Sequence, residues 1–162
     1  MNDPKRIVLY LSVCLLALLT SGCLQTQQLY IGNKVTTEQV DLVQNTPVAG
    51  TWETFDLKIA YEFVAKDDIL EISGQARLGD HQRMVYDVVR TLDIYLFFVD
   101  HDSRVLLTQP LDRTLTGSTE RTAFFSHSYK IPAGTRSLSF GYSGVVTERE
   151  GQLSFYQLPL KK

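Results

Sequence analysis

Between residues 54 and 65 hydrophobic and polar positions alternate almost without interruption. Phe55, Leu57, Ile59, Tyr61 and Phe63 share one parity, and Asp56, Lys58 and Glu62 take the other. A period of two marks a strand with one buried face, because successive side chains point to opposite sides of the sheet. Lys66, Asp67 and Asp68 supply a polar turn, after which Leu70, Ile72, Gly74, Ala76 and Leu78 alternate with Glu71, Ser73, Gln75 and Arg77. The two segments read as an antiparallel hairpin. Residues 86–99 repeat the pattern, with Tyr86, Val88, Leu92, Ile94, Leu96 and Phe98 in one row. Arg90 breaks that row, so either a bulge shifts the register there or its head reaches a carboxylate or solvent at the sheet margin.

Shorter strands are expected at 105–108, after the polar turn of residues 100–103, and at 125–131, where Phe125, His127, Tyr129 and Ile131 share a parity. Pro132, Ala133 and Gly134 turn the chain into Leu138, Phe140, Tyr142 and Gly144, and a last strand covers 153–158. With a weaker first strand at 35–43, this makes about seven or eight strands and no convincing amphipathic helix. Such spacing predicts an all-β chain folded as an immunoglobulin- or fibronectin-like antiparallel β-sandwich. A small barrel or jelly roll gives much the same string, so the topology stays open at this level.

The first residues follow a different rule. Lys5 and Arg6 precede a thirteen-residue apolar run, Ile7 to Leu19, which is followed by Thr20, Ser21 and Gly22. This is the order of a secretory signal, and the run is short of the roughly 20 residues a helix needs to cross a bilayer. Leu19-Thr20-Ser21-Gly22-Cys23 resembles the lipobox of bacterial lipoproteins, with Thr20 where that family more often has a large aliphatic residue. The resemblance implies cleavage after Gly22 and attachment of acyl chains such as palmitate at Cys23. A thiolate is the nucleophile such a transfer needs. Leu24, in place of Asp, implies transport to the outer membrane of a Gram-negative cell; the expected placement is the periplasmic face, a side that Leu24 itself does not specify. In a Gram-positive cell the same anchor would hold the outer face of the cytoplasmic membrane. The expected organisation is a signal peptide at 1–22, a lipidated N-terminus and tether at 23–34, and one sandwich domain at 35–162.

Composition narrows the function. The 162 residues carry 16 Lys+Arg against 18 Asp+Glu, a formal charge of -2, which argues against a nucleic-acid partner. Cys14 and Cys23 are the two cysteines, so after cleavage no intramolecular disulfide is available and stability rests on packing.

Catalytic signatures are missing from the sequence: there is no nucleophile elbow, zinc-protease helix, Walker loop or Rossmann glycine pattern. Gly141-Tyr142-Ser143-Gly144 lacks the elbow's spacing. His81, His101 and His127 could join Asp80, Asp100 and Asp102 only if the fold brings them together. His127 reads as a core or margin histidine satisfied by a hydrogen bond, and His101 as part of a turn. Asp100-x-Asp102 starts like a calcium loop, but Arg104 stands where a third ligand belongs. No metal and no cofactor is therefore expected.

Trp52 reads as a packing anchor. Lys130, Arg136, Lys161 and Lys162 are too dispersed for a strong basic patch. The functional clue lies in aromatic residues of the opposite parity: Tyr95, Phe97, Phe124 and Tyr156. On an outer sheet face these would form the centre of a protein interface or stack on sugar rings; central strands covered by the tether or a loop are the alternative. The expectation is a non-enzymatic lipoprotein, held at the membrane through lipid on Cys23, that scaffolds an envelope protein partner. The alternative is a glycan-binding or envelope-ligand module, and an enzyme is the least favoured reading.

Overall fold

The computed structural model describes residues 30–86, 88–112, 117–118, 122–148, 151–158 and 160–161. In chain order the elements are β1 (Lys34–Val35), β2 (Val40–Asp41), β3 (Val48–Glu53), β4 (Leu57–Lys66), β5 (Ile69–Leu78), α1 (Asp80–Val85) and β6 (Val88–Val99). There follow β7 (Val105–Asp112), β8 (Gly117–Ser118), β9 (Ala123–Lys130), β10 (Ser137–Glu148), β11 (Gly151–Gln157) and β12 (Leu160–Lys161). Every ladder between them is antiparallel.

The strands form an all-β sandwich. One sheet has the order β3-β4-β5-β9. The other runs β11-β10-β6-β7, with β2 also paired to β10 and β8 to β6, which makes six strands. Leu57, Ile59, Phe63, Leu70, Ile72 and Leu78 point inward from the smaller sheet, and Leu92, Ile94, Leu96, Phe98, Phe140 and Tyr142 meet them from the larger. Each such side chain contributes about 1.5–3 kcal/mol on full burial. Trp52 is buried among them, its ring 6.0 Å from Phe140 and 6.2 Å from Tyr142. Along one side the two sheets are also linked by hydrogen bonds: the Tyr129 hydroxyl donates to the Pro110 carbonyl, and His127 Nε2 donates to the Leu111 carbonyl at 2.7 Å.

Four details depart from the sequence pattern or resolve it. Phe55 is 72% exposed and lies outside the strand, because Thr54 Oγ1 accepts from the amides of Asp56 and Leu57 and forms a turn that delays β4 until Leu57. β3 had no counterpart among the expected strands. Its Gly50 breaks the apolar row, and the space a side chain would take is filled by the Tyr61 hydroxyl, 2.5 Å from a Cβ built there. At Arg90 the ladder does contain a bulge, since Val145 pairs with Thr91 and Val146 with Val89. Val89 then takes the buried place, and Arg90 Nε donates to Thr147 Oγ1 at 2.9 Å. Finally, α1 is a short helix of six residues where none was expected.

The domain starts before residue 35. Tyr30 to Lys34, expected in the tether, lie on the outer face of the six-stranded sheet, where Gly32 N donates to the Val105 carbonyl and Val35 N to that of Ser103. β12 pairs with β1, so the two ends of the described chain meet on this face.

Candidate functional site

The outer face of the four-stranded sheet is open. Its register aligns Glu62 with Ser73 and Ser73 with Ser126 in one row, and Ala60 with Gln75 and Gln75 with Phe124 in the next. Small side chains in mid-sheet leave low ground. A depression of about 550 Å³ lies over Glu62, Val64, Glu71, Ser73, Ser126 and Ser128, with Pro47 at its border. A second, of about 350 Å³, covers Ala49, Ala60 and Gln75 and shares Glu62 with the first. Phe124 bounds this second hollow and also a third, of about 420 Å³, which includes Pro110, Asp112 and His127. The first two make a trough on this face, the third lies at the seam with β7, and Phe124 stands between the trough and the seam, 76% exposed.

The groups in the trough suit binding. Ser73 Oγ donates to Glu62 Oε1 at 3.1 Å, which fixes one carboxylate and leaves its other oxygen to accept from a ligand. Glu71 adds a second carboxylate, Gln75 an amide with both donors and an acceptor, and Phe124 a flat apolar face. His127, at the margin, uses Nε2 as a donor to the Leu111 carbonyl, which can only accept.

Tyr95 and Phe97, expected on an accessible surface, do face away from the main core but are covered. Tyr95 is 9% exposed and Phe97 is fully buried, in a second cluster with Val35, Val99 and Val105. Tyr30 packs on both, its ring 5.8 Å from Phe97 and edge-on, and 6.4 Å from Tyr95. Leu158 joins the cover from the other end of the chain. Ser139 Oγ donates to the Glu38 carbonyl at 2.9 Å and Ser137 Oγ to Gln39 Oε1 at 2.7 Å, pinning the incoming segment to β10. For this pair the alternative holds, cover by the segment expected as tether, and Tyr95 and Phe97 move from the interface candidates to the core. Tyr156 is 71% exposed but belongs to the larger sheet, whereas Phe124 belongs to the smaller. The four aromatics therefore make no common platform. Cys23 lies outside the described residues.

Asp100, His101 and Asp102 bring three potential ligand atoms within 4.8 Å of one another. Asp100 Oδ1 already accepts from the amides of Asp102 and Arg104, at 2.9 and 2.7 Å, and so holds the turn in which Ser103 takes a positive φ of 61°. Asp100 thus serves the turn, and His101 Nε2 lies 3.4 Å from Asp102 Oδ2. His81 instead packs its ring 5.1 Å from that of Phe55, beside exposed Met84 and Val85. Beneath them Asp56 accepts from Gln82 Nε2 and, at 2.6 Å, from the Tyr142 hydroxyl. Burial, together with the neighbouring Asp56 carboxylate, pushes the Tyr142 hydroxyl well above the ordinary tyrosine range.

The small-residue floor around Phe124 escaped the sequence pattern, since alanine and serine at outward positions read as ordinary solvated strand. No family model matches the chain, and no curated protein or solved structure matches it either.

Proposed function

We propose that the protein is a membrane-anchored lipoprotein, held through lipid on Cys23, whose sandwich binds an envelope protein partner and performs no catalysis. The observation that carries the reading is the opposition of two surfaces. Tyr30, where the described chain begins, packs on the outer face of the six-stranded sheet, while the open trough lies on the outer face of the four-stranded sheet. Seven residue steps separate Cys23 from Tyr30 and span at most about 25 Å. A lipid on Cys23 thus keeps the covered face close to the bilayer and leaves the trough turned toward whatever approaches from the aqueous side. Restriction to a surface raises the local concentration of partners, so a modest interface suffices. Among the described residues no helix is long and apolar enough to cross a membrane. In this reading the acyl chains are the attachment, on the periplasmic face of an outer membrane.

The test combines acyl labelling with site-directed crosslinking in cells. Labelling with a palmitate analogue is expected in the unaltered protein and absent in Cys23→Ser, which moves to the soluble fraction. A photo-crosslinker at Phe124 is expected to capture one defined protein in an anchor-dependent way. Unlabelled protein, or a Cys23→Ser form that stays membrane-bound, overturns the anchor; a silent Phe124 position overturns the trough as the interface.

Phe124 beside Gln75, Ser126 and Glu62 also favours a second reading, binding of an envelope glycan, since an apolar ring next to hydrogen-bonding side chains is what a sugar requires. Calorimetric titration of the mature Cys23→Ser chain with envelope glycans decides it. Heat that disappears in Phe124→Ala supports a glycan site, and no heat removes it.

A further inference from the structure

We propose that the outer edge of β11 pairs antiparallel with the same edge of a second copy of this chain, so that two six-stranded sheets join into one across a two-fold axis. β11 is bonded through Tyr142–Glu148 of β10 on one side and, among the described residues, to no strand on the other. A free edge offers a row of unpaired backbone N–H and C=O groups, and proteins usually blunt it with charge, proline or a cover. Among the described residues, the edge at β3 and the side where β7 meets β9 carry such features. β7 contains Pro110 and is clasped to β9 by the bonds from Tyr129 and His127, while β3 starts after Pro47 and ends on Glu53, which is paired with Lys58 at 2.9 Å. β11 reads Gly-Gln-Leu-Ser-Phe-Tyr-Gln, without a charge or a proline.

The side chains of β11 are suited to meeting their own kind. Leu153, 45% exposed, lies on the parity of buried Phe155, and Tyr156 is exposed on the opposite face. Pairing centred on Ser154 sets Leu153 against the second copy's Phe155 and Gln152 against its Tyr156, which covers apolar surface on both faces and opposes no like charges. The contact is isologous, so it closes at two copies and does not grow into a fibre.

Symmetry selects a second copy over an unrelated strand. A two-fold axis that relates adjacent antiparallel strands stands normal to the sheet. Both copies consequently present the covered face, with Tyr30, to one side and the trough to the other. Two tethers then reach a single membrane. This last argument rests on the proposed lipidation of Cys23, whereas the two before it do not.

The experiment uses the mature Cys23→Ser chain, which contains no other cysteine, so that failure of pairing is separate from failure of anchoring. Sedimentation across a concentration series is expected to show a monomer–dimer equilibrium. Ser154→Lys sets two ammonium groups together at the axis and is expected to weaken the dimer at least tenfold, with an unchanged circular dichroism spectrum. Added to the same background, Ser154→Cys is expected to form a disulfide-linked dimer on mild oxidation, and Ser126→Cys, in the trough, is not. If Ser154→Lys fails to fold, the cysteine pair decides. A chain that stays monomeric throughout the series, or a Ser154→Cys form that crosslinks no better than Ser126→Cys, overturns the proposal.

Discussion

The two outer faces of this sandwich invert what their residues suggest. The six-stranded sheet carries Tyr95 and Phe97 outward and is closed over them by Tyr30, Val35 and Leu158, from opposite ends of the chain. The four-stranded sheet carries mainly alanine, serine and charged residues outward, and it is the one left open, with Phe124 its single large exposed ring. A cover forms where it can remove apolar area from water, at about 25 cal/mol per Å². Ser73 and Ser126 offer little such area, so nothing repays the entropy of laying a segment across them. The open face is therefore available to a partner because its floor is poor in apolar side chains.

The sharpest way to break this comparison is to truncate one ring on each face. Phe97→Ala removes a fully buried ring from beneath the chain termini and is expected to cost about 3–5 kcal/mol. Urea unfolding measures it, as a lowered midpoint with little change in slope. A cost below about 1 kcal/mol would mean that the terminal cover is loose and that Phe97 is accessible after all.

Alkaline pH sharpens the same contrast with a smaller effect. Burial pushes the Tyr129 hydroxyl, at the seam between the sheets, up to about 12, and raises Tyr142 and Tyr61 inside the core and Tyr30 in the cover. The sign follows from linkage. A tyrosine whose folded value exceeds that of the unfolded chain, about 10, contributes fully below pH 10 and loses that contribution as pH rises through the folded value. Thermal midpoints are thus expected to hold up to about pH 10 and to fall toward pH 12. Tyr30→Phe removes the group that belongs to the cover and is expected to make the decline shallower. An unchanged slope would show that Tyr30 ionises as freely in the folded protein as in the unfolded chain.

Much of the sandwich was legible because β4 and β5 each have a wet face and a dry one, which writes period two into the sequence. Arg90 interrupted the row, and the bulge it marked is present. Phe55 misled because a polar turn, built on the Thr54 hydroxyl, is invisible to parity. β3 was missed because Tyr61, on a neighbouring strand, occupies the space over Gly50. The outward parity of Tyr95 and Phe97 was correct, yet exposure did not follow from it. Their cover comes from Tyr30 and Leu158, which lie more than sixty residues away on either side, and no local window contains that contact.

The smallest expected effect carries the most information about the open face. Phe124 is 76% exposed and bounds two hollows, so its ring stays largely in water in the folded state as in the unfolded one. Phe124→Ala is expected to change stability by no more than about 0.5 kcal/mol, as surface substitutions generally do. In the same urea measurement it should be indistinguishable from the unaltered protein while Phe97→Ala is not. If Phe124→Ala instead cost more than about 1 kcal/mol, its ring would be a packed element of the fold, and the open face would lose its candidate contact. A ring whose removal leaves stability intact yet abolishes capture of a partner by a crosslinker at neighbouring Ser126 owes its place in water to binding, because folding gains nothing from it.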